Sequence, residues 1–144
     1  MCIRDRACRY NGDIDVIKAL WGRGADIHAR NEDQWTPLHV ACENGNIAAI
    51  KALLDRGADI DAKSENQRTP LHVACENGNI EVIKALLDRG AAIDARDKDQ
   101  WTPLHMACVN GNIEVIKALW DRGADIDAKS ENQRTPLHLS LIHI

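Results

Sequence analysis

The sequence predicts an all-α repeat solenoid built from helix-turn-helix units, with turn or hairpin loops projecting between them. Three observations carry this. Thr-Pro-Leu-His recurs at Thr36, Thr69, Thr102 and Thr135, a period of 33 each time. Ile-Lys-Ala-Leu keeps the same beat at Ile17, Ile50, Ile83 and Ile116. Between these landmarks, apolar residues fall at helical spacing and stop at glycines. A fixed period of this size marks stacked units, not one closed globular core. The units are 7–33, with a degraded start, then 34–66, 67–99 and 100–132, followed by a partial unit at 133–144.

The unit 67–99 explains the elements in order. Thr69 suits an N-cap, and Pro70 suits the first helical position, where its missing N–H has no partner to lose. Leu71, Ala74 and Cys75 then share one face. Asn77-Gly78 resembles a hairpin turn, but helical periodicity on both sides makes Gly78 a helix stop. Asn79 caps a second helix whose stripe is Ile80, Ile83 and Leu87, widened by Val82 and Leu86. Glu81 and Lys84 lie opposite, spaced as a supporting pair. Gly90 ends the helix, and the polar run from Ala91 to Lys98 reads as an extended turn or hairpin. One unit has too little apolar surface to offset the entropy of ordering itself, so stability must come from unit-to-unit interfaces.

These residues closely resemble the ankyrin repeat. The match rests on Thr69-Pro70-Leu71-His72, Ala74, Gly78, Ile83 with Leu86-Leu87, Gly90-Ala91 and Asp94-Ala95, and it covers residues 7–140. The resemblance implies a curved stack of helix pairs with projecting hairpins. It also implies partner binding through the hairpin tips and the exposed side of the first helices. One departure is uniform: Gln34, Gln67, Gln100 and Gln133 stand where the family usually has Gly at the tip. Gln does not favour the positive φ of that turn, which leaves the tip geometry open.

Bulk properties narrow the function. The chain has 144 residues and a formal net charge of −4. An acidic balance argues against wrapping a nucleic-acid backbone, and no apolar run approaches membrane length. Cys42, Cys75 and Cys108 occupy one helical position and no Cys-x-x-Cys occurs. They read as small buried residues in a reducing, cytoplasmic compartment.

The ends break the pattern. Met1 to Asp5 can be written ATG TGT ATA AGA GAC AG, and the reverse complement, CTG TCT CTT ATA CAC AT, reads Leu139 to His143 and the start of Ile144. That DNA resembles the transposase end used in sequencing-library preparation. The expectation is that 1–6 and 139–144 are translated adapter around a fragment of a longer repeat protein; native codons at both junctions would refute it. Counting 33 back from Cys42 reaches Arg9, while Cys8 sits at the Ala41 position, and Asp13 replaces Asn as second-helix cap.

Chemistry-bearing ladders read as structural. His39, His72, His105 and His138 lie one unit apart, about 10 Å by helix packing, whereas zinc ligands must converge about 2 Å from one ion. The resemblance implies that this His bonds locally around the Thr-Pro turn. Lys18, Lys51, Lys84 and Lys117, with Arg23, Arg56, Arg89 and Arg122, are interleaved by Asp55, Asp88 and Asp121 as a self-compensated surface. Acidic tips (Glu32, Asp33, Glu65, Asp97, Asp99) are too wet for paired catalytic carboxylates and lack calcium-loop spacing. No Gly-rich phosphate loop, Gly-x-Ser-x-Gly or His-Glu-x-x-His is present. No catalysis, metal or cofactor is expected.

Tryptophans divide into two groups. Trp21 and Trp120 replace Leu54 and Leu87 in the second helix and should pack. Trp35 and Trp101 precede the Thr caps, outside the apolar stripe, and should be at least half exposed. The residue at this place alternates as Trp35, Arg68, Trp101, Arg134. A double-length repeat thus overlies the single one, as a duplication would leave it. The resemblance implies a protein-interaction scaffold for a protein partner, expected to act as a monomer. The alternative is the recruitment arm of a larger enzyme or adaptor. The candidate contacts are Trp35, Arg68 and Trp101 as anchors, with Asp33, Glu43, Asn66, Glu76, Asp99 and Val109 around them. Glu32, Asn44, Glu65, Asn77, Lys98 and Asn110 complete the surface. Nearby Asp and Glu favour a basic partner.

Overall fold

The structure, a computed structural model, describes residues 27–135. Both termini, Cys8, Asp13, Lys18, Trp21, Arg23 and His138 lie outside the described residues. Among the described residues there are six helices and no strand. In chain order these are α1 (Pro37–Asn44), α2 (Ile47–Asp55), α3 (Pro70–Asn77), α4 (Ile80–Asp88), α5 (Pro103–Asn110) and α6 (Ile113–Asp121).

Each first helix starts at a threonine. Thr36, Thr69 and Thr102 accept the N–H of His39, His72 and His105 on their hydroxyl oxygens. The histidine returns the bond: its Nδ1 accepts the threonine N–H at 3.1 Å in all three units. This is a capping box with His in the place usually held by Glu or Gln. Gly45, Gly78 and Gly111 close these helices in the left-handed conformation. A Cβ on Gly45 would lie 2.8 Å from Asn79 Nδ2 of the next unit, so the turn is packed tightly as well as left-handed. Asn46, Asn79 and Asn112 cap the second helices through their side-chain oxygens.

Packing runs along two rows. α1, α3 and α5 stack in one, and α2, α4 and α6 in the other, while each helix pair also packs internally. Leu38, Leu71 and Leu104 fill the interior from the first row, with Ile50, Leu53, Ile83, Leu86 and Leu119 from the second; all are fully buried. Cys42, Cys75 and Cys108 are buried free thiols. Burial pushes the Cys108 thiol up to about 11 and the other two higher still, so none offers a thiolate at neutral pH.

The projecting loops are paired turns and not strands. Ser64 N–H donates to Arg68 C=O at 2.9 Å, and Gln67 N–H to Ser64 C=O at 2.8 Å. Neighbouring tips are joined by Glu65 N–H to Asp33 C=O, Lys98 N–H to Asn66 C=O and Glu131 N–H to Asp99 C=O, at 2.8, 2.9 and 2.8 Å. The glutamines keep the left-handed tip: Gln34, Gln67, Gln100 and Gln133 have φ of 63°, 64°, 64° and 62°. Hydrogen bonds within and between loops outweigh the local cost of a side chain there.

Two expectations fail. Trp120 does not pack; it is 59 % exposed, beside Ile113 at 66 % and Ile126 at 41 %. Their counterparts Leu87, Ile80 and Ile93 are partly buried against the core. No described second helix follows α6 to cover this face. Glu81 and Lys84 form no ion pair either. The charges pair between units: Arg89 with Asp55 at 2.9 Å, and Arg122 with Asp88 at 2.7 Å.

Candidate partner-binding surface

The tips are held by a short side chain at the loop base. Asn31 Oδ1 accepts the N–H groups of Asp33 and Trp35, at 2.9 and 3.0 Å. Asp97 Oδ1 does the same for Asp99 and Trp101, at 2.8 and 2.9 Å. In the alternate units Ser64 and Ser130 hydroxyls accept from Arg68 and Arg134 N–H. The two-unit alternation therefore extends from the tip residue to its anchor.

Trp35 and Trp101 are partly buried, short of the half-exposure expected for them. Each rests on the core and on the cap histidine of its own unit, with ring centroids 5.6 Å apart for Trp35–His39 and 5.8 Å for Trp101–His105. One side of each indole is thus covered. The histidines reach further than the local role expected of them. Nε2 of His39, His72 and His105 donates to the carbonyls of Arg68, Trp101 and Arg134 in the following unit, at 2.9, 2.8 and 3.0 Å. Because Nδ1 accepts from a backbone N–H, the Nε2–H neutral tautomer is the one that satisfies both bonds. Burial holds His39 down at about 4, against the opposing effect of the Arg68 carbonyl. Burial likewise lowers His72 and His105.

Arg68 pairs with Glu76, and its Nη2 lies 3.5 Å from Met106 Sδ. Together with Trp101 these side chains wall a recess of about 420 Å³. Asn66 and Asp99 stand on it as well, so five of the nine candidate residues converge here. Trp35, Asp33, Glu43 and Val109 do not line it. Asn77 and Asn110, expected at the binding surface, staple units together: their amides donate to the carbonyls of Glu43 and Glu76. Met106 was not anticipated, although its substitution for Val40 and Val73 was visible in the sequence. Among the described residues no group of three or more His, Cys, Asp or Glu is placed to hold a metal ion. No described helix is long and apolar enough to cross a membrane.

Stacked helix pairs carrying a ridge of tips define a repeat solenoid. The chain belongs to the ankyrin repeat family: the family model for ankyrin repeats in three copies matches residues 5–97 and 89–143. Repeats of this family generally mediate protein–protein interaction. The chain is also similar to protein phosphatase 1 regulatory subunit 27 of Mus musculus and of Homo sapiens. Each is 53 % identical over 32 residues, 22 % of this chain and 21 % of the relative. The match spans about a fifth of those curated relatives, one repeat's length.

Proposed function

We propose that this chain is a non-catalytic interaction scaffold that binds a partner protein through its tips and the exposed side of α1, α3 and α5. The observation that supports this best is the recess that gathers Asn66, Arg68, Glu76, Asp99 and Trp101 across two consecutive units. It joins the open part of one indole to charged groups, residue types that recur in binding hot spots. Trp35, Asp33, Glu43 and Val109 extend the same face. The scaffold acts as a monomer, in a reducing compartment, and takes neither nucleic acid nor membrane. The test is a pull-down from the source organism with Trp35→Ala combined with Trp101→Ala, after circular dichroism shows the variant folded. Loss of the captured partner is expected; unchanged capture removes both as anchors.

A second reading is favoured by the similarity to a phosphatase regulatory subunit. In it, the repeats are the recruitment arm of a larger enzyme or adaptor. The full-length open reading frame separates the two readings.

A further inference from the structure

The chemistry of the recess narrows the kind of partner. We propose that it receives an arginine side chain, stacked on the Trp101 indole, with the guanidinium bound by the Asp99 carboxylate. This deepens the scaffold reading and rests on it. His105 covers one side of the Trp101 ring, while the ring also lines the recess. Met106 adds an apolar surface for an aliphatic stem. Asp99 is exposed, and among the described residues its carboxylate has no ion-pair partner. An indole beside an open carboxylate suits a planar, weakly hydrated cation better than a compact ammonium.

An anion finds less. Arg68 is neutralised by Glu76, and its Nε is sealed from solvent without a partner, out of reach of an incoming group. Lys98 alone remains on the rim. The wider ridge agrees. The two residues ahead of each tip glutamine are Glu32-Asp33, Glu65-Asn66, Lys98-Asp99 and Glu131-Asn132, five carboxylates to one ammonium. The alternation is chemically consistent too. Asp accompanies Trp in Asp33-Gln34-Trp35 and Asp99-Gln100-Trp101, whereas Asn accompanies Arg in Asn66-Gln67-Arg68 and Asn132-Gln133-Arg134. A carboxylate stands where an indole does, and a neutral amide where a guanidinium does.

The experiment titrates the full chain with a blocked tetra-arginine peptide and follows the Trp101 indole N–H by NMR. Tetra-lysine and tetra-glutamate peptides serve as comparisons. Saturable movement of the Trp101 signal is expected with tetra-arginine, with tetra-lysine weaker by roughly 3-fold. Asp99→Asn, an exposed change that leaves the packing intact, should weaken tetra-arginine binding by roughly 5-fold. Preference for tetra-glutamate, or equal tetra-arginine affinity in Asp99→Asn and Trp101→Leu, overturns the proposal. If that happens while partner capture still depends on Trp101, the arginine assignment falls and the scaffold reading stands.

Discussion

Each cap histidine bonds both within its own unit and to the next one. Its Nδ1 completes a helix cap and its Nε2–H reaches the next unit, so one neutral ring serves both a cap and an inter-unit contact. Protonating Nδ1 would set a proton against the threonine N–H and place a charge where water cannot reach. The folded-state pKa is therefore lowered, and the unfolded chain binds more protons below about 6.5. Stability is present in full above that pH and is lost on acidification, between 6.5 and about 4 for His39. The slope is about 1.4 kcal/mol per pH unit for each such histidine. His39→Gln keeps a capping side chain but cannot titrate. Urea unfolding from pH 7 to 5 should show its pH dependence flatter than the parent's by about one proton; an unchanged slope would contradict the account. The resemblance implied the bond of this histidine at the Thr-Pro turn, three residues away. Its partner one unit ahead is 29 residues distant for His39 and was not legible locally.

At the scale of the element, the tip turn shows local preference yielding to the stack. Four glutamines hold a conformation that suits glycine, because bonds to neighbouring loops fix the backbone around them. Gln67 is exposed, so replacing it removes little packing. Gln67→Gly should raise stability by about 0.5–1 kcal/mol, the left-handed penalty relieved less the added chain entropy of glycine. Urea melts at pH 7 check this, and a less stable Gly variant would show that the glutamine side chain contributes more than its backbone costs. Helices were easier to read than tips. Thr-Pro or Asn starts, glycine stops and apolar stripes are local signals, and the six described helices follow them. Tip conformation depends on the loop next door, which no local window contains.

At the scale of the whole molecule, position in the stack decides burial. Leu87 and Trp120 occupy the same place in their units, yet the tryptophan is 59 % exposed because no described helix follows on that side. The candidate surface obeys the same logic. The alternation of Trp and Arg was plain in the sequence, but the recess forms between units, from Arg68 of one and Trp101 and Met106 of the next. Half-exposure of the tryptophans was misjudged because the cap histidine beneath each ring lies outside the apolar stripe. The central claim is that each unit completes its neighbour's interior. Circular dichroism of the peptide 67–99 alone, set against 34–132, tests it most directly. The account predicts that the single unit is unstructured in water, while the three-unit segment is helical and melts cooperatively. A cooperative thermal transition in the isolated unit would contradict it.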